Sequence, residues 1–324
     1  MQERLMSQLE INNTLESINN RSVLTIKDLS RDQIVALVLD TVENKRFDNQ
    51  NTLPLSGKKL VTLFDKPSLR TYAGTAIAWM RLGGEYIPLI PSKSREPIKH
   101  ASRVMGGYAH ALVPRISSLE DLIEYDQNFL NCKREKMPVI SGMTDYDHPL
   151  QFLADATTAF EKFPDKAFSK LKIAYLGDYN NVARSTFLGY CQLGTNIRIG
   201  APNIDKISQD EYDFANKHNK GNFLVTQDPV EALEDCDIAM FDVWTSMGET
   251  KDQEETRRIH LPFQGNSEII KYASPKVIIQ HCMPINLEEE ITSELCDLHF
   301  EHIIDQSHNR MHSTESLLAA VYKK

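Results

Sequence analysis

The chain lacks the features that would take it into a membrane. No apolar run in its 324 residues approaches the ~20 that a bilayer helix needs. The first twenty residues, rich in Asn, Glu and Ser, lack the apolar core of a signal peptide and are expected to form a frayed leader. A basic surplus is missing too: 36 Lys and Arg against 45 Asp and Glu leave a net charge of −9. That balance disfavours nucleic acid as a partner, because no basic stripe is present to meet a phosphate backbone. The five cysteines are odd in number and contain no Cys-x-x-Cys, so neither a disulfide framework nor a zinc site is expected, and a reducing cytoplasm is the expected compartment. There is no internal repeat, and no Gly-x-Gly-x-x-Gly turn. A nucleotide-binding oxidoreductase, suggested by the strand-to-helix unit at Ile173–Asn181, therefore lacks its pyrophosphate turn.

What is present is an ordinary globular composition, 41% hydrophobic and 25% charged, on a chain too long for one core. Two domains follow. Strand patterns at Leu60–Phe64, Tyr86–Ile90, Ala111–Arg115 and Val139–Ile140 alternate with helical patterns at Ser30–Glu43, Ala73–Met80, Pro97–Gly107 and Leu119–Asn128. A helix opening at His148-Pro149 leads to a second series. Its strands are expected at Ile173–Leu176, Ile197–Ile199, Phe223–Val225, Ile238–Phe241 and Val277–Ile279, and its helices at Val182–Leu193 and Glu211–His218. The closing helix is expected at Arg310–Val321. This alternation predicts α/β domains with parallel, doubly wound sheets.

The stretch Leu60 to Thr71 carries the first chemistry. Its apolar run suits a strand covered on both faces, Pro67 ends it, and Ser68 stands where a helix N-cap belongs. The first-turn N–H groups of the following helix have no intrahelical partners and lie at the positive end of its dipole, so an anion is stabilised there. Arg70 adds a bidentate fork, and Ser68 and Thr71 add hydroxyls. Taken alone, these four residues read equally well as a capped helix with an exposed arginine.

Further polar residues recur at strand exits, where ligands of open α/β sheets collect. Arg115 ends one strand, Asn180-Asn181 follow Leu176, Asp242 follows Phe241, and His281-Cys282 follow Ile279. Each has a plain alternative. Arg115 and Arg310 read as surface residues, His148 as a helix cap, Asn180-Asn181 as turn formers, and Cys282 as a small buried hydrophobe. Gln151, nearly one helical turn after His148, faces the same way. Five strand ends with such residues point to a cleft between two domains.

The ordered set Ser68-Leu69-Arg70-Thr71, Asp147-His148-Pro149-Leu150-Gln151, Asp242-Val243-Trp244-Thr245-Ser246-Met247-Gly248 and His281-Cys282-Met283-Pro284 closely resembles the aspartate/ornithine carbamoyltransferase superfamily, and most of all its ornithine branch. The likeness runs from about Ser22 to Ala319. It implies two doubly wound domains, 1–147 with a C-terminal helix 308–324 packing back on it, and 148–307. The first would bind carbamoyl phosphate and the second the amino acid. The reaction implied moves a carbamoyl group to the side-chain amine of L-ornithine, giving L-citrulline and phosphate, with no metal or organic cofactor. By resemblance, Ser68, Leu69, Arg70, Thr71, Arg115, His148, Gln151 and Arg310 bind carbamoyl phosphate, and Asn181, Asp242, Ser246, Met247, Cys282 and Met283 bind the amino acid. Arg115, His148, Asp242 and Cys282 are the catalytic candidates, with Cys282 a positioning and electrostatic group rather than an acyl carrier. A homotrimer, or a multiple of trimers, is the implied assembly.

Three departures bear on the substrate. Leu69 and Tyr72 stand where the ornithine enzymes have Ser-Thr-Arg-Thr-Arg, which removes a positive charge. The segment Pro91–Pro97 is shorter than the family loop that reaches a neighbouring subunit, with Lys93 and Arg95 as possible substitutes. After Pro284 come Ile285, Asn286, Leu287 and three glutamates in place of a basic residue. An altered rim would admit another diamino acid, such as 2,3-diaminopropionate or lysine, or mark a catalytically silent paralogue.

Overall fold

The computed structural model describes residues 6–47, 53–65, 68–89, 96–219, 222–245 and 252–322. They belong to two units, Arg4–Thr157 with His308–Lys324, and Thr158–Ser307. The chain passes from one to the other inside helices, at 157/158 and again at 307/308, whereas the sequence expectation put the first passage at His148.

The N-terminal unit contains α1 (Gln8–Glu16), α2 (Arg31–Phe47), β1 (Lys59–Phe64), α3 (Leu69–Arg81), β2 (Glu85–Leu89), α4 (Ile98–Tyr108), β3 (Ala111–Arg115), α5 (Leu119–Asn128) and most of α6 (Pro149–Lys162). Its described strands form a parallel sheet in the order β2-β1-β3. The apolar run of β1 is explained by this central place: Val61 is flanked by Ile87 on one side and Leu112 on the other. Val61, Leu63, Leu112, Leu122 and Phe129 form the core on one face. On the next helix Ser68 is the N-cap, with φ −154° and its hydroxyl accepting from the Thr71 N–H, and Gly83 at φ +88° follows its end.

The second unit carries β4 (Lys172–Leu176), α7 (Asn181–Leu193), β5 (Asn196–Gly200), α8 (Gln209–Asn219), β6 (Phe223–Thr226), α9 (Pro229–Leu233), β7 (Ile238–Phe241), α10 (Gln253–His260), β8 (Ile278–His281) and the start of α11 (Ser293–Tyr322). Its parallel sheet runs β6-β5-β4-β7-β8, so strand order reverses direction between β4 and β7. That reversal is the switch point at which doubly wound sheets hold ligands. Leu176, Phe241, Ile279, Leu295 and Ile303 share its core.

Three expectations change. Residues 8–16 are helical rather than frayed, because Ser7 and Glu10 form a reciprocal capping box and Ile11 and Ile18 are buried. Val139 and Ile140 make only isolated bridges, to Leu112 and Val23, and no strand. The final helix begins at Ser293 rather than Arg310. From His308 onward it packs within the N-terminal unit: Tyr322 meets Trp79 edge-on at 5.4 Å, Arg81 pairs with Glu315 at 2.8 Å, and Gly74 lies against the Met311 backbone. Calls on residues 66–67 and 90–95, including Pro67, Lys93 and Arg95, lie outside the described residues.

Helix α4 offers a test of packing against propensity. A Cβ on Gly106 would overlap the Leu130 carbonyl oxygen and sit 2.8 Å from its carbon. Intrinsic propensity favours alanine here by ~1 kcal/mol, but backbone atoms yield little. Gly106→Ala is expected to destabilise the protein by roughly 1–3 kcal/mol in denaturant unfolding; a stabilised variant would contradict the contact.

Candidate functional site

In the N-terminal unit, four of the residues singled out share one set of hydrogen bonds. Thr71 lies in the first turn of α3, Arg115 ends β3, His148 precedes α6, and Arg310 stands on α11. The Thr71 hydroxyl accepts from Arg115 Nη1 at 2.9 Å and from Arg310 Nη2 at 3.1 Å. The other Arg310 nitrogen, Nη1, lies 3.3 Å from His148 Nε2. A guanidinium only donates, so Nε2 accepts and the ring's single proton sits on Nδ1. Burial, then the charges of Arg310, Arg115 and Arg70, hold the His148 pKa well below the usual imidazole value. The ring is therefore neutral and the guanidinium groups are the charge of the site.

Supporting residues fix these groups. Asp147 Oδ1 accepts from the His148 N–H at 2.6 Å, and its Oδ2 from the Ile26 N–H at 2.7 Å. Gln151 Nε2 donates to Asp155 Oδ1 at 2.7 Å, which leaves Oε1 as the amide's outward acceptor. Ser68 caps α3 and Arg70 is half-buried, while Leu69 is 78% exposed. The β1 and β3 exits adjoin each other in the sheet, which is why Thr71 and Arg115 meet.

The second unit assembles a different chemistry. Cys282, just after β8, donates its thiol to Asp242 Oδ1 at 2.9 Å, and Asn180 Nδ2 donates to Asp242 Oδ2 at 2.8 Å. Asn180 also caps α7 by accepting from the Val182 and Ala183 N–H groups, and Asn181 opens that helix. His281 fixes the turn that follows. Its Nδ1 accepts from the Met283 N–H at 2.8 Å, and its Nε2 lies 3.1 Å from Glu290 Oε1, which also accepts from the Asn286 N–H at 2.6 Å. Asp242, His281 and Cys282 offer ligand atoms within 4.8 Å of one another, but both His281 nitrogens are already engaged. Tyr175 stays un-ionised, its pKa pushed well up by burial and then by Asp242, Asp178, Cys282 and Glu290. Met283, at φ +57°, accepts a contact from the Ser307 hydroxyl at its sulfur, 3.2 Å away. Ser246 and Met247 lie outside the described residues.

Sequence reasoning passed over Asp147, Asp155 and Glu290. The Asp-His-Pro order before a helix was a usable signal for Asp147. No local pattern marks Glu290, which is legible only once the turn closes.

Comparison with known proteins agrees with this division. Residues 21–161 match the sequence model described as the carbamoyl-P binding domain of aspartate/ornithine carbamoyltransferase, and residues 169–321 match its Asp/Orn binding domain. An ornithine carbamoyltransferase of Methanocaldococcus jannaschii is 35% identical over 312 residues, covering 93% of this chain and 99% of that one. One of Bacillus subtilis is 32% identical, covering 96% and 97%. Among solved structures, the ornithine carbamoyltransferase from Pyrococcus furiosus superposes with a TM-score of 0.85 at 30% identity, over 94% of this chain and 98% of that one.

The neutral His148 makes stability pH-dependent. Its folded pKa lies below its unfolded one, so the unfolded chain binds a proton first as pH falls. The contribution is absent above the unfolded value and destabilises as pH drops through it, by at most ~1.4 kcal/mol per pH unit. In His148→Gln the fall in thermal midpoint between about pH 7 and about pH 5.5 should be smaller than in the wild type; equal slopes would show that His148 is charged in the fold.

Proposed function

Because the chain belongs to the aspartate/ornithine carbamoyltransferase family, we propose that it transfers the carbamoyl group of carbamoyl phosphate to the side-chain amine of L-ornithine, giving L-citrulline and phosphate. The observation that carries this reading is the meeting of Arg115 and Arg310 on one hydroxyl, with Arg70 near enough to help hold His148 neutral. Three guanidinium groups around a neutral imidazole, in a protein of net charge −9, make a local trap for a small dianion.

The chemistry asks for two things. The amine attacks the carbonyl carbon, the carbonyl oxygen becomes an oxyanion, and the carbon–oxygen bond to phosphate breaks as the carbonyl reforms. Preorganised donors must meet both developing anions. In this assignment Ser68, the Leu69 backbone, Arg70, Thr71 and Arg310 hold the phosphate, while Arg115, His148 and Thr71 meet the carbonyl oxygen, each such donor contributing ~3 kcal/mol. Gln151 Oε1 accepts from the carbamoyl amide. The attacking amine has an ordinary pKa of ~10, must shed one proton to solvent before attack, and yields a second to the departing phosphate as the carbon–nitrogen bond forms. Asp242 and Cys282 serve that end of the amino acid, and Asn181, Ser246, Met247 and Met283 hold the remainder. The thiol already donates to a carboxylate, which suits a positioning group better than a nucleophile. Citrulline formation is the direction proposed, as for the relative from Pyrococcus furiosus named as anabolic. Cytoplasmic placement is proposed with it; among the described residues no helix is long and apolar enough to cross a membrane.

The assembly proposed is a homotrimer or a multiple of trimers. The outer face of α3 supports it: Ile77 is 45% exposed and Met80 51%, beside Leu69 and Tyr72. A second copy of this chain is the occupant proposed for that face.

Carbamoyl phosphate offered with ornithine, 2,3-diaminopropionate, lysine and putrescine, with ureido product and phosphate measured together, tests the reaction. Ornithine should be the best acceptor, and a rate with another acceptor more than ~100-fold higher would overturn the assignment. Arg70→Ala should lower kcat/KM by ~10²-fold or more at an unchanged thermal midpoint. Sedimentation should give trimers, and Met80→Glu should shift them toward monomer; an active wild-type monomer would refute the assembly.

A further inference from the structure

Two strand-exit loops carry the amino-acid half of the proposed site, Gly177 to Asn181 after β4 and Asp242 to Trp244 after β7. They run close together: a Cβ on Gly177 would stand 3.5 Å from the Asp242 carbonyl oxygen and 3.8 Å from the Trp244 ring. His260, the last residue of α10, touches both. Its imidazole stacks on Trp244 with centroids 5.7 Å apart and planes at 27°. Its Nε2 faces Asp178 Oδ1 at 3.4 Å, and its Nδ1 lies 2.9 Å from the Thr256 carbonyl oxygen one turn back. His260 is 6% exposed, Asp178 3% and Trp244 2%.

The carbonyl of Thr256 requires a hydrogen on Nδ1. Nε2 is buried without a hydrogen-bond partner and faces a carboxylate, which is also an acceptor. The Thr256 contact thus fixes the ring plane and turns Nε2 to Asp178. Around it, Asp178 comes from the β4 exit and Lys206 Nζ lies 3.7 Å from the same Oδ1, while Glu255, Arg257 and Arg258 of α10 are exposed. Asp178 is anchored in turn. Its Oδ1 accepts from Asn203 Nδ2 at 3.0 Å, and its backbone oxygen accepts from the Tyr175 hydroxyl at 3.0 Å and the Asn180 N–H at 2.9 Å.

We propose that His260 is a positioning residue for the amino-acid substrate: its ring clasps the Asp178 end of the Asn180-Asn181 loop to Trp244 and thereby sets the spacing between Asn181 and Asp242. The inference rests on the carbamoyl-transfer reading for its substrate. A histidine that merely ended α10 needs neither the stack nor the carboxylate. The role belongs to the ring and its N–H, so glutamine should recover part of what alanine loses.

The full-length protein carrying His260→Ala or His260→Gln tests it. In His260→Ala the KM for L-ornithine should rise about tenfold while the KM for carbamoyl phosphate stays within about twofold, with His260→Gln intermediate. Both KM values rising together, or neither moving while the thermal midpoint falls, would reduce His260 to a structural residue. A second readout needs no turnover. Indole emission reports what is stacked on the ring, and the only other tryptophan, Trp79, lies against Tyr322. Emission of His260→Ala should therefore differ from the wild type in intensity or maximum at constant pH, with His260→Gln intermediate, and identical spectra would overturn the clasp. Should the wild type transfer no carbamoyl group to any acceptor, the functional reading falls, and the emission comparison still decides the His260 contact.

Discussion

Every described strand pairing in both sheets is parallel, and that constraint arranges the chemistry. Parallel neighbours finish at the same edge, so the residue after each strand, and the N-terminus of the helix that follows, are delivered to one rim. In the N-terminal unit β1 and β3 end side by side, which brings the Ser68–Thr71 turn to Arg115. In the second, β4, β7 and β8 end side by side, which brings Asn180 to Asp242 and Asp242 to Cys282. Residues separated by 40 to 62 positions meet because the sheet returns them, not because any local motif joins them.

The two rims are opposite in electrostatic character. One gathers Arg70, Arg115 and Arg310 and keeps His148 neutral, so its field favours an anion. The other gathers Asp242 with Cys282, so it accommodates an ammonium or amine. An acyl phosphate and a diamino acid have these opposite needs. The substrate assignment proposed for the two rims thus has support from charge as well as from family.

Much of this was legible before any coordinates. Mostly apolar strands such as Leu60–Phe64, interrupted only by Thr62, and caps such as Ser68, are local signals that the sequence carries openly. What escaped was non-local. The 293–306 part of α11 mixes Asp297, Glu301 and Asp305 with its apolar residues, and only the burial of Leu295 and Ile303 against the second sheet makes it helical in context. The first helix was hidden in an Asn-rich stretch whose stability comes from a capping box and two buried isoleucines. Glu290 is invisible for the same reason: its value lies in the backbone N–H group and the His281 ring that the closed turn presents to it.

The departures from the family pattern can now be weighed by where they sit. Tyr72 replaces a charge, yet its ring packs on Phe64 at 5.6 Å and on Tyr86 at 5.7 Å, and Tyr86 in turn bonds the Thr62 hydroxyl at 2.9 Å. An aromatic cluster of Phe64, Tyr72 and Tyr86 thus takes up the position, leaving Arg70, Arg115 and Arg310 as the charge of the turn. The three glutamates after Leu287 are likewise dispersed. Glu290 is buried beneath His281, and Glu288 holds the Ser293 N–H and hydroxyl at 2.8 and 2.7 Å where α11 begins. Glu288 and Glu289 are both exposed, so of the run only Glu290 is withdrawn from the surface. The altered segment leaves the Cys282–Asp242 contact in place, so the groups on which the proposal of ornithine as acceptor rests are retained.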